Sequence, residues 1–186
     1  LESAVRAESD HSYSSEEHAQ IISLRESGKF SEAEESLSQY LDAHPKDPEA
    51  WSLLSQILLL NKKVKESEIS LRKALDLKSL LPSALRNHAR LLLTKNKPAE
   101  ALEQAQASYH ISTFDPDSAF VLAVCLRANG RGQDALASIE EALEIRPDYA
   151  EALANRALIK YEMKDIEESI RDAKAAVSIK PHLTEV

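Results

Sequence analysis

The chain is poor in the residues that build most active sites and most β-structure. Of 186 residues, one is cysteine, one methionine, one tryptophan, three are glycine and three phenylalanine. A single thiol, Cys125, cannot form an internal disulfide, so a secreted disulfide scaffold is excluded. No apolar run approaches the length of a membrane span, so no membrane insertion is expected. Leu1–Asp10 holds no apolar stretch of the kind a secretory leader needs. Bases are also short: 23 against 31 acids, a net charge of −8. That argues against a nucleic-acid partner held by a basic surface. Together the lone thiol and absent leader point to the cytoplasm. The chain opens on Leu1 rather than Met, from which we expect a segment of a longer protein.

Catalytic signatures are missing as well. The six histidines (His11, His18, His44, His88, His110 and His182) pair with no Cys, His or acid at a zinc-site spacing. There is no phosphate-cradling glycine loop and no nucleophile elbow. We expect no catalytic residues, no metal and no cofactor. Cys125 is read as a small buried apolar residue, and His88 as the histidine nearest the core.

What the chain has is a period. Gly28-Lys29-Phe30-Ser31-Glu32-Ala33 lines up with Gly130-Arg131-Gly132-Gln133-Asp134-Ala135, 102 residues on, and Pro147 with Pro181, 34 residues on. A period of 34 divides the chain into five contiguous units, 14–47, 48–81, 82–115, 116–149 and 150–183, without insertions. Residues 1–13 stand outside as an N-terminal extension, and Thr184, Glu185 and Val186 occupy the first columns of a further helix.

Read by column, small residues recur. Column 20 holds Ala33, Ser67, Ala101, Ala135 and Ser169. Column 8 is small in four units of five, and column 27 holds Tyr40, Ala74, Ser108, Ala142 and Ala176. Small residues at fixed places let helix backbones approach closely. Large apolar residues at columns 11, 28 and 30 are expected to fill the space between, column 30 being Ala43, Leu77, Ile111, Ile145 and Ile179. Each unit carries two amphipathic helical stripes; in the fourth these are Ala119, Leu122, Ala123 and Leu126, then Ala135, Ile139, Ala142 and Leu143. Asp47-Pro48 and Asp115-Pro116 read as helix starts. Asp148 with Glu151 and Asp165 with Glu168 read as capping boxes.

The 34-residue period, the small columns 8, 20 and 27, Trp51 at column 4 and Pro at column 32 resemble the tetratricopeptide repeat (TPR). The resemblance covers 14–183 and implies an all-α solenoid, a right-handed superhelix of antiparallel helix pairs stabilised by neighbours stacking. It also implies that the first helix of each pair lines a concave groove. Carried over by column, the groove residues are Leu59, Arg86, Asn87, Arg90, Leu93, Phe120, Val124, Arg127, Asn155, Leu158 and Tyr161, with Arg25 and Thr94 nearby. Apolar groups flanking arginines suit a protein or extended peptide that offers apolar and acidic side chains. Charge reversal at Arg86 and Arg90 is expected to weaken partner binding and leave the fold intact.

The Lys/Asn two-carboxylate clamp of some relatives is not matched, since His18 and Ile22 stand in its place. An asparagine ladder at column 6 is met only by Asn87 and Asn155. The leading reading is therefore a non-enzymatic interaction scaffold. The alternative is a TPR recruitment module of a larger enzyme, such as a bacterial glycosyl- or sulfo-transferase. The fifth unit's second helix, with Ile170, Ala173 and Val177, is expected to keep an uncovered flank and to cause self-association.

Overall fold

The computed structural model describes residues 15–181. The N-terminal extension and the helix start at Thr184–Val186 lie outside the described residues. Among those described there are ten α-helices and no strand: α1 (Ser15–Glu26), α2 (Phe30–Ala43), α3 (Pro48–Leu60), α4 (Val64–Leu77), α5 (Pro82–Thr94), α6 (Pro98–Ile111), α7 (Pro116–Ala128), α8 (Gly132–Ile145), α9 (Ala150–Glu162) and α10 (Ile166–Ile179). Successive odd-numbered helices from α3 start at 48, 82, 116 and 150, each 34 residues after the last. The contacts gather into two compact units, 1–81 and 82–186. In the first, α1 pairs with α2 and α3 with α4; in the second, α5 pairs with α6, α7 with α8 and α9 with α10.

Local chemistry explains the helix ends. Asp47 Oδ1 accepts hydrogen bonds from the amides of Glu49 (2.9 Å) and Ala50 (3.1 Å), with Pro48 at the first helical position. Asp115 accepts from the Asp117 amide at 3.2 Å ahead of Pro116, and Asp165 from the Glu168 amide at 3.4 Å. Asp148 does not cap. α9 starts at Ala150 with Tyr149 as its N-cap and no side-chain hydrogen bond, because Asp148 lies one residue too early.

Each odd-numbered helix ends in one repeated device. Five residues, 34 apart, have positive φ: Gly28 (73°), Lys62 (62°), Asn96 (57°), Gly130 (73°) and Lys164 (66°). The next amide in each case donates to the carbonyl five residues back, as in Lys29 to Leu24, Lys63 to Leu58 and Asp165 to Lys160, all within 2.8–2.9 Å. This is the Schellman stop, which glycine enters without strain and other residues enter at a cost.

The small columns are the core. Ala33, Ala74, Ala89, Ala101, Ala123, Ala135 and Ala142 are all at 0% exposure. Where column 20 is serine, its hydroxyl stays satisfied: Ser67 Oγ donates to the Ser55 carbonyl (2.7 Å) and Ser169 Oγ to the Ala157 carbonyl (2.8 Å). In the first unit Ile21, Leu37, Leu41, Leu54, Ile57 and Leu58 cluster around them. In the second, Val121, Cys125, Leu126, Ile139 and Ile159 do so.

Column 30 corrects the expectation for it. Leu77, Ile111, Ile145 and Ile179 are 40–45% exposed and Ala43 is exposed. Two residues past the buried column 28 is about 200° round the helix, so column 30 points away from the partner helix. His88 is half-buried. Cys125 is at 0% exposure, and burial pushes its thiol up to about 12.

Candidate functional site

Leu59 lies in the first unit, on α3, half-buried. The other ten residues carried over from the family pattern lie in the second unit, on α5, α7 and α9. There α7 contacts both α5 and α9. Column 9 becomes Arg90, Val124 and Leu158, and column 12 becomes Leu93, Arg127 and Tyr161. Leu158 is 48% and Tyr161 63% exposed, while the other four are half-buried. Asn87 and Phe120 are deeper, at 5% and 9%. Phe120 packs its ring on Tyr149, with centroids 5.0 Å apart.

The polar members of the set are engaged by the protein itself. Arg86 Nη1 meets Asp115 Oδ2 at 2.5 Å and donates to Ser118 Oγ at 3.2 Å. Ser118 in turn reaches Asp115 (2.8 Å) and Ser108 (3.0 Å), and Ser108 lies 3.0 Å from the Pro82 carbonyl. Arg86 thus ties α5 to the capping acid of α7. Arg90 Nη1 donates to Asn87 Oδ1 at 3.2 Å. Arg127 Nη1 pairs with Glu162 at 2.9 Å, while its Nε is buried without an acceptor among the described residues. Asn155 turns its amide onto the Glu151 carbonyl of its own helix (3.0 Å). An asparagine ladder is not presented outward by this pair.

Two further polar knots, which column reading alone did not single out, flank the face. Asp117 accepts from the Tyr149 hydroxyl (2.7 Å) and from Arg146 (3.3 Å). Burial raises the Asp117 pKa, but the Tyr149 hydrogen bond, Arg146 and Arg86 together outweigh it and hold the carboxyl below its ordinary value. Asp172, 3% exposed, receives two 2.7 Å bonds from Arg156 and lies 3.1 Å from Lys160. Its burial too is outweighed, here by hydrogen bonds from both cations, and its pKa is lowered. Arg156 and Lys160 stand at columns 7 and 11 of the fifth unit, column 11 being leucine in the other four. The buried acid that answers them, Asp172 at column 23, was the missed half of the signal.

Chemically the face offers mixed apolar and cationic stripes. Among the described residues no three His, Cys, Asp or Glu side chains gather as a metal site, and no helix is long and apolar enough to cross a membrane.

The family model described as tetratricopeptide repeat matches residues 18–83, 86–150 and 120–183. Among solved structures, TTC0263, a thermophilic TPR protein of Thermus thermophilus, aligns with a TM-score of 0.79 at 15% identity, over 91% of this chain and 93% of that one. PilW, a type IV pilus biogenesis factor, aligns with a TM-score of 0.70 at 20% identity, over 91% and 77%. YrrB, a TPR protein with an unusual peptide-binding site, aligns with a TM-score of 0.57 at 18% identity, over 90% and 87%. Likeness at these identities concerns the fold alone. No curated protein sequence matches. With the helix pairs, the 34-residue period and the family model in agreement over most of its length, the chain belongs to the tetratricopeptide repeat family.

Proposed function

We propose that the chain is a non-enzymatic interaction scaffold. The face of α5, α7 and α9 takes an extended segment of another protein, one that offers apolar side chains with an acid among them. The observation that carries this reading is the pair of parallel stripes, Arg90-Val124-Leu158 and Leu93-Arg127-Tyr161. Each stripe sets one cation among two apolar side chains that its own fold leaves at least partly open. Extended peptides are read by such stripes because alternate side chains reach them at strand spacing. The peptide-binding site described for YrrB adds a precedent on the same fold, though not a residue correspondence.

Arg90 and Arg127, rather than Arg86, are the cations assigned to the ligand, since both lie in the stripes and the Glu162 that shares Arg127 is 52% exposed, whereas Arg86 lies outside the stripes and ties α5 to Asp115. The test is titration of a random extended-peptide library, displayed on phage, against the chain and against Val124→Glu. Selected peptides should be apolar and acidic, and Val124→Glu should bind them at least about tenfold more weakly, a loss of roughly 1.4 kcal/mol. Equal binding by both proteins removes this face from the reading.

A further inference from the structure

Arg127 stands on α7, which has α5 and α9 of the same unit as neighbours. Its guanidinium is a planar fork suited to meeting a carboxylate with two nitrogens. Here it is met by a single oxygen. Nη1 donates to Glu162 Oε1 at 2.9 Å, and Nε is buried without an acceptor among the described residues. Arg156, on α9, shows the contrast: two of its nitrogens reach the two oxygens of Asp172, both at 2.7 Å. Arg127 is held by only part of the pairing its fork can make.

Stability alone does not account for Glu162. It is the last residue of α9, where the unpaired carbonyls of the helix end disfavour a carboxylate. The residues that end α5 and α7, Thr94 and Ala128, are neutral. The pair with Arg127 is solvated, the two side chains being 29% and 52% exposed, and ion pairs of that kind add little net stability. These two effects are small and opposed. What Glu162 does change is the charge of the column-12 stripe, Leu93-Arg127-Tyr161, whose cation already carries an acid of its own chain.

A ligand carboxylate that reaches Arg127 therefore enters a competition. It meets a guanidinium that holds an oxyanion, and two carboxylates on one cation repel each other. Glu162 can be released to water at small cost, because it is already half-exposed. The arriving acid then takes the nitrogen that Glu162 leaves. A ligand with an amide in that place brings no charge to the exchange and leaves Glu162 where it is.

Given the peptide-binding reading of this face, on which the assignment rests, we propose that Glu162 is its specificity-determining residue: an internal stand-in for the ligand's acid, which an incoming carboxylate displaces from Arg127. Glu162 lowers the affinity for every acidic ligand. Only a segment whose neighbouring side chains also fit the apolar members of the stripes is then held.

The test uses peptides selected on the chain, each paired with a copy in which its acid is replaced by the amide, and titration calorimetry. The ratio of the two affinities is the readout, because any loss of folded protein cancels from it. Glu162→Gln should raise the ratio in favour of the acid at least about fivefold over the unaltered chain. Glu144→Gln removes the same charge from an exposed position on α8. It should change the ratio by less than about twofold, since a distant exposed charge is screened. In the crystal structure of a complex, Arg127 should sit on the ligand's carboxylate with Glu162 turned away. An unchanged or lowered ratio in Glu162→Gln overturns the proposal. So does an equal rise in Glu144→Gln, or a complex in which Glu162 stays on Arg127. Val124→Glu keeps the two readings apart. Peptides that bind it as well as they bind the unaltered chain do not use the face, and both readings fall. Peptides that need Val124 but show no rise in Glu162→Gln leave the face standing and remove the role of Glu162 alone.

Discussion

Arg86 and Asp115, 29 residues apart, form an ion pair that joins the start of α5 to the start of α7, and the same carboxylate group caps α7. One residue therefore serves two tasks, each local to a different part of the chain. This relationship changes what Arg86 is for: it is a tie between helix pairs before it is a ligand contact.

Asp115→Ala should then cost more than a cap alone. Losing the cap costs about 1 kcal/mol, and stranding a partly buried Arg86 adds roughly 1–2 kcal/mol. Asp115→Asn, which still accepts the Asp117 amide, should recover part of the loss. Urea unfolding of the three proteins measures this. By the same reasoning Arg86→Glu, which places an acid against Asp115, should lower stability. The expectation that charge reversal at both Arg86 and Arg90 spares the fold is therefore withdrawn.

Asp172→Asn should be among the most damaging single changes in α10. It breaks a buried two-pronged pair and leaves Arg156 and Lys160 without their shared acceptor. Breaking such a pair costs about 3–5 kcal/mol. Replacing Arg156 and Asp172 together by Met and Leu should be far milder. Comparing thermal melts of the single and double variants decides it.

Acid should destabilise the second unit through Asp117 and Asp172. Both carboxyls are held below the ordinary carboxylate value when folded. Their contribution is thus complete above the unfolded pKa of about 4 and fades as pH falls through the folded values. Stability against pH should show this acid limb, and Asp172→Asn should flatten it. An unchanged limb in that variant would exclude Asp172 as a source.

Lys62→Gly and Lys164→Gly should each stabilise the chain by about 0.5–1 kcal/mol. Both residues sit at the positive-φ stop where two other repeats already have Gly28 and Gly130. Conversely Gly130→Ala, where an added Cβ meets nothing within 4 Å, should lose about 1 kcal/mol from backbone strain alone. Calorimetric melting temperatures will rank them.

Cys125 should be silent to Ellman's reagent in the native protein and react fully in urea. It is completely buried, and a thiol pushed up to about 12 carries almost no thiolate at neutral pH. Fast native labelling would show that α7 opens.

Much of the fold was legible before any coordinates. Ala33, Ala101 and Ala135 announced close helix contacts because only a small side chain is tolerated there, and a size limit repeated every 34 residues survives in the sequence as a column. Column 30 misled, because hydrophobicity was read without the angle at which the helix presents it. Asp148 misled by a single residue, which is the precision a capping position demands. Gly28 and Gly130 marked the left-handed stop openly. Lys62 and Lys164 hid it, since a long side chain bears the conformational strain without advertising it.

The sequence by itself determined the helix pairs, their period and the small residues between them. These depend on side-chain size and on residues three to five apart. Tertiary structure alone decided which charges are spoken for and which apolar residues are covered. Arg86 meets Asp115, Arg127 meets Glu162 and Tyr149 meets Asp117 across 29 to 35 residues, and no local pattern reports such a meeting. Val177 and Leu143 share a column, yet one is open and the other buried. Burial belongs to the neighbour that arrives, not to the residue that waits for it.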